Sequence, residues 1–190
     1  MKPNFVKNVS TWGNHPVVNK LFKAEEDYNK IREFVRQNNE VIAYGNGRCY
    51  GDAALAEAMF STKKLNKFIS FDRLNGIIEC ESGVLISEIL EVIIKQGYFL
   101  IITPGTKFIT LGGAIASNIH GKNHHLEGSF VESVIEFKMM VEDGEIITCS
   151  REENAEKFWA TFGAMGLTGI ILSAKIKLKN IESAYIRQES

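Results

Sequence analysis

The sequence predicts an α+β fold. Three observations lead there. Helical and strand periods alternate along the chain, tight hairpins interrupt that alternation, and three glycine-rich segments each sit beside a strand. A doubly wound parallel sheet would separate its strands with helices throughout, and the hairpins break that rhythm.

The elements follow in order. Residues 25–37 (EEDYNKIREFVRQ) place Tyr28, Ile31, Phe34 and Val35 on one helical face. Val41 to Tyr44 is a short apolar strand, and residues 52–60 (DAALAEAMF) have helix-forming composition. Lys67 to Phe71 and Gly76 to Cys80 are two strands joined by the turn DRLNG at 72–76. Residues 86–95 (ISEILEVIIK) form a helix stopped by Gly97, with Ser87 as its N-cap. Thr110 to Ser117 is a short helix of small residues. Glu132 to Val141 and Glu145 to Cys149 form a hairpin around EDG at 142–144. Glu153 to Phe162 is a helix, and Gly169 to Leu178 is a long alternating strand. The polar residues 181–190 follow it directly and read as the start of a linker to a further domain.

Composition narrows the classes. The chain has 190 residues, 45% hydrophobic and 24% charged, with a net charge of −1. That balance makes no electrostatic case for nucleic acid or an anionic membrane as partner. No window approaches the ~20 apolar residues of a spanning helix. The N-terminus lacks the apolar centre of a secretory signal. A cytoplasmic protein is expected, with membrane association left open. Cys49, Cys80 and Cys149 are widely separated and form no C-x-x-C pair, so reduced thiols are expected.

The segment VIAYGNGRCYGD at 41–52 runs a strand into three glycines. Glycine is enriched where the backbone takes φ > 0 or another molecule comes close. The spacing Gly45, Gly47, Gly51 is one residue longer than the Rossmann G-x-G-x-x-G, and Asp72 lies beyond the ~20 residues at which that motif places its acid. The nicotinamide reading is therefore weak. Two readings stay open: inward-turned N–H groups forming an anion nest, with Arg48 adding charge or pointing to solvent, or a tight surface turn.

A second cluster spans residues 104–125. Gly112, Gly113, Ala114, Ala116 and Ser117 make a surface almost free of side chains, although each helical glycine costs about 1 kcal/mol relative to alanine. Such a surface suits a large ligand lying against the backbone. A third segment, GAMGLTG at 163–169, stands between a helix and a strand.

The strings YGNGRCYGD (44–52), TPGT (103–106), LGGAIASNIHGKNHH (111–125), GSF (128–130) and FWATFGAMGLTGII (158–171) resemble the flavin-binding domain of the vanillyl-alcohol oxidase and p-cresol methylhydroxylase superfamily, and within it the decaprenylphosphoryl-β-D-ribose 2′-oxidase family. The resemblance spans Val41 to Leu178. It implies a PCMH-type FAD-binding domain over residues 1–180, built of two small α/β subdomains at about 1–100 and 101–180. A substrate domain would follow the linker at 181–190, and this chain alone would bind FAD weakly and not turn over substrate.

The resemblance also implies residue roles. Ala43, Tyr44, Gly45, Asn46, Gly47, Arg48, Cys49, Tyr50, Gly51, Asp52 and Ala53 would hold the FAD pyrophosphate, with Tyr50 near the flavin and the substrate entrance. Gly105, Thr110, Leu111, Gly112, Gly113, Ser117, Asn118, Ile119 and His120 would line the flavin from the other side, and Gly166 and Ile171 the adenine and ribose end. Cys49 and Ser117 depart from the small residues expected there. The superfamily's covalent attachment through a histidine in the first loop has no counterpart in Gly47–Tyr50, so FAD is expected to be non-covalent. His120 and Lys122 would face the flavin and substrate, and together with Tyr50 they are the candidate catalytic residues; the main catalytic groups would lie in the missing domain. His124 and His125 read either as hydrogen-bond partners of loop carbonyls or, less readily because Gly121 interrupts the helix, as part of a metal site. No metal is expected.

The implied reaction is hydride transfer from a sugar secondary alcohol to flavin N5, on a polyprenyl-phosphate sugar in cell-wall polysaccharide synthesis, with a short-chain reductase completing an epimerisation. Oxidation of another polyol or an aldonolactone, and a non-catalytic nucleotide-binding module, remain as alternatives.

Overall fold

The computed structural model describes residues 6–185. It has two sheets flanked by five helices. The smaller sheet orders as β1-β2-β4-β3, from β1 (Val6–Val9), β2 (Val18–Ala24), β3 (Val41–Tyr44) and β4 (Ala58–Ser61). β1 and β2 form an antiparallel hairpin, while β4 runs parallel to both β2 and β3. The larger sheet orders as β5-β6-β10-β8-β9, from β5 (Phe68–Asp72), β6 (Ile77–Glu81), β8 (Val134–Met140), β9 (Ile146–Ser150) and β10 (Ile170–Asn180). β7 (Tyr98–Leu100) pairs with the far end of β10, and every pairing in this sheet is antiparallel.

The α+β class is observed, with one correction. Residues 52–60 are not a helix: their end becomes β4, the central strand of the small sheet. All four β4 residues are buried, so the strand shows no alternation. The change from one sheet to the other falls between β4 and β5, near residues 62–67. The expected linker at 181–190 lies partly outside the described residues.

The helices form for local reasons. α1 (Tyr28–Arg36) is capped by Asp27, whose carboxylate accepts from the N–H groups of Asn29 at 2.8 Å and Lys30 at 3.3 Å. Its apolar stripe buries Ile31, Phe34 and Val35 against β4, with Phe34 and Phe60 centroids 6.2 Å apart. α2 (Ile86–Ile93) is capped differently from the expectation. Leu85 is the N-cap, and Glu88 accepts from its N–H at 2.7 Å, while Ser87 lies buried inside the helix. Gly97 does end the segment, in a left-handed conformation. α3 (Leu111–Ala116), α4 (His124–Glu127) and α5 (Ala155–Thr161) complete the set. The main core packs β6, α2, α3, β8 and β10 around residues such as Ile89, Phe137 and Ile176.

Candidate functional site

Three sets of contacts bring the glycine segments together. The side chain of Asn46, in the first loop, donates to the Phe108 carbonyl at 2.8 Å. Gly45 sits against the cap of α3, where a Cβ would come 2.5 Å from the Thr110 Oγ1. The N–H groups of Gly163 and Met165 both donate to the Ala116 carbonyl at 3.0 Å, which pins the third segment to the end of α3. The segments enclose one cavity of about 650 Å³ at the meeting of the two sheets, a size usual for cofactor sites.

The α3 wall is held closely. Thr110 caps the helix by accepting from the Gly113 N–H at 3.1 Å. Gly112 donates to the Ser82 carbonyl at 2.8 Å, and a Cβ on Gly112 would stand 2.9 Å from the Ser82 Cβ. The glycine there permits the helix to lie flat on the neighbouring strand end. Gly105, in contrast, faces open space, with nothing within 4 Å of an added Cβ.

The first loop presents donors. Among the described residues, the N–H groups of Asn46, Gly47, Arg48 and Tyr50 have no hydrogen-bond partner. Gly47 takes φ +63°, and a Cβ there would collide with the Tyr44 hydroxyl. Among the described residues, Arg48 is the one charged residue in the cavity lining. Its guanidinium stacks 4.8 Å over the Trp12 ring, so it does not simply point to solvent. Burial pushes the Cys49 thiol above its ordinary value, and the same cause, reinforced by Cys49, raises the Tyr44 hydroxyl. Unpaired amides, one cation and no carboxylate together fit an anionic pyrophosphate.

The sequence-predicted residues divide cleanly. Ala43, Gly45, Asn46, Gly47, Arg48, Cys49, Tyr50 and Ala53 line the cavity on one side. Gly105, Thr110, Gly112, Gly113, Ser117 and Ile119 line it opposite, and Gly166 and Ile171 close it. Seven others do not line it. Tyr44 donates its hydroxyl to the Ser10 carbonyl at 2.6 Å, and Leu111 is fully buried in the core. Asn118, at φ +42°, accepts from the Val131 N–H at 3.1 Å, and so braces the turn after α3. Gly51 and Asp52 are exposed and outside the lining. His120 was expected to face the flavin, as was Lys122. Both are exposed and outside the lining, in a segment running beside Thr103. At Gly121 a Cβ would strike the Thr103 carbonyl, so the segment passes close against that residue. His124 Nδ1 lies 3.0 Å from the Gly121 carbonyl, as the hydrogen-bonding reading expected; no such bond is seen for His125 among the described residues.

Several lining residues were missed. Trp12 carried no motif and lies 31 residues before Ala43. Thr62 follows a strand that was itself unrecognised. Met165 and Gly169 lie within the third glycine segment, so their signal was present in the sequence.

The fold, with one cavity where its two sheets meet, defines an FAD-binding domain of the PCMH type. Residues 21–150 match the family described as "FAD binding domain", and the chain belongs to that family, with FAD as its cofactor. It is 34% identical to decaprenylphosphoryl-beta-D-ribose oxidase of Mycolicibacterium smegmatis, across 96% of this chain and 42% of the relative. It is 26% identical to L-gulonolactone oxidase of Mus musculus, across 88% of this chain and 38% of the relative. It is also 26% identical to a putative D-arabinono-1,4-lactone oxidase of Neurospora crassa, across 88% and 31%. The chain thus spans less than half the length of these curated relatives. No helix among the described residues is long and apolar enough to cross a membrane.

Proposed function

We propose that this chain holds FAD non-covalently and forms the flavin half of an oxidoreductase that converts a secondary alcohol of a sugar to a ketone. The observation that carries the reading is the convergence of three glycine segments on one cavity whose near wall offers unpaired N–H groups. The substrate class we favour is a polyprenyl-phosphoryl ribose or related polyol, supported by the 34% identity across nearly the whole chain. A short-chain reductase would then reduce the keto product and complete an epimerisation. An aldonolactone substrate is the second reading, supported by the similarity to L-gulonolactone oxidase.

The chain's own residues bind and orient. The loop amides and Arg48 hold the pyrophosphate, and the bare face of α3 allows a flat ring system to approach the main chain. When bound, FAD supplies the acceptor for the hydride that leaves the alcohol carbon. Tyr50 lines the cavity and is 81% exposed, which supports a role in meeting a substrate that arrives from solvent. Lys122, exposed beside the Thr103 wall, offers its cation to a substrate phosphate outside the cavity. A second domain would complete the catalytic pocket.

Non-covalent attachment is supported by the lining itself. Among the described residues no histidine lines the cavity, and burial pushes the Cys49 thiol above its ordinary value, which disfavours the nucleophilic thiolate. The purified chain loaded with FAD should show absorbance bands near ~370 and ~450 nm, and acid precipitation should leave the flavin in the supernatant. Flavin in the pellet would contradict non-covalent attachment. A colourless protein that FAD cannot reconstitute would favour a nucleotide-binding module without redox function.

A further inference from the structure

The link between β1 and β2 reaches across to the glycine loop, although it lies outside the residues 21–150 matched by the family. The Trp12 N–H donates to the Cys49 carbonyl at 3.1 Å. Thr11, 3% exposed, donates its hydroxyl to the Gly51 carbonyl. The Ser10 carbonyl accepts from the Tyr44 hydroxyl at 2.6 Å, and the Trp12 ring carries the Arg48 guanidinium.

We propose that Thr11 and Trp12 are positioning residues for the dinucleotide: they clasp the outer side of the loop, turn its N–H groups toward the cavity and aim Arg48. The inference rests on FAD occupying that cavity. Its physical basis is the planar trans peptide, in which the carbonyl of one residue and the N–H of the next point in opposite directions. Holding the Cys49 carbonyl against Trp12 directs the Tyr50 N–H the other way. That N–H is among the donors left unpartnered beside the cavity. A loop with three glycines in seven residues samples many backbone states when free, so fixing two of its carbonyls removes much of that freedom before the ligand arrives. Arg48 gains likewise: its long side chain rests on an indole that itself lines the cavity, and enters no ion pair among the described residues.

The test is an FAD titration of the FAD-free 190-residue chain, wild type against Trp12→Ala, Trp12→Phe and Thr11→Val, with the Tm of each FAD-free protein measured alongside. Trp12→Ala and Thr11→Val should each bind FAD about tenfold more weakly, the factor expected when a cation–π contact or a buried hydrogen bond is lost. Trp12→Phe keeps the backbone bond and an aromatic face, and should stay within about threefold of wild type. Tm should move by no more than about 4 °C, the shift of a ~1 kcal/mol change in a domain of this size. Should Trp12→Ala fail to fold, Thr11→Val carries the test alone. Wild-type affinity in the variants would overturn the clasp. So would affinity and Tm falling together with no recovery in Trp12→Phe, since that is the behaviour of a purely structural residue. A wild-type chain that binds no FAD at all would overturn the site assignment, and the clasp with it.

Discussion

The small sheet and the large sheet meet at one cavity, but they build their walls from opposite materials. The small sheet, parallel around β4, ends in a loop whose amides at Asn46, Gly47, Arg48 and Tyr50 are unpaired and whose one cation stands over Trp12. The large antiparallel sheet offers main chain already committed to itself: Gly112 to Ser82, Thr110 to Gly113, and Gly163 with Met165 to Ala116. One wall is a set of donors waiting for an anion. The other is a rigid flat face. The difference suits the proposed single ligand, whose charged end and planar end need different surroundings.

The largest expected effect falls on the small sheet. Phe60 is fully buried between β4 and α1, so Phe60→Ala should destabilise the chain by about 3–5 kcal/mol in urea unfolding. A loss below about 1 kcal/mol would mean that β4 is not packed as described.

That same strand marks where the sequence was legible and where it was not. The large sheet could be read nearly element by element, because β8 and β9 flank an EDG turn and β10 alternates between buried and exposed positions toward its end. β4 could not, because a parallel central strand buried on both faces has no period of two, and Ala-Leu-Ala-Glu-Ala beforehand favours helix. The three glycine segments were legible because glycines in series are unusual beside strands. Trp12 was not, since a lone aromatic carries no spacing signal and its partner Arg48 is distant in sequence. His120 and Lys122 were assigned by resemblance, and their exposed positions outside the lining, beside a Gly121 packed on the Thr103 carbonyl, are not something the letters alone reveal.

Alkaline pH tests the large sheet. Burial pushes the Cys80 thiol up to about 12 from an ordinary 9.0. Between those values the unfolded chain is ionised while the folded chain keeps its proton. The unfolded state then binds fewer protons, so stability is full below about pH 9 and falls as pH rises toward 12. At pH 10.5 the loss from this residue should be about 2 kcal/mol, and Cys80→Ala should flatten it. An unchanged slope in the variant would show that another group is responsible.

Two smaller changes separate the ligand wall from the scaffold. Gly105 faces open cavity with no neighbour for a side chain, so Gly105→Leu should weaken FAD binding about tenfold, roughly 1.4 kcal/mol, with little change in Tm. Unaltered affinity would place the ligand elsewhere. Asp27→Ala removes the α1 cap far from the cavity and should cost about 1 kcal/mol of stability while FAD affinity stays as in wild type.

The most direct measurement is amide hydrogen exchange of the chain with and without FAD. One dinucleotide gripped from both sheets predicts added protection, at the same FAD concentration, in residues 44–53, 104–117 and 163–171 together. Protection confined to one of these segments, or appearing at separate concentrations, would contradict a single shared site.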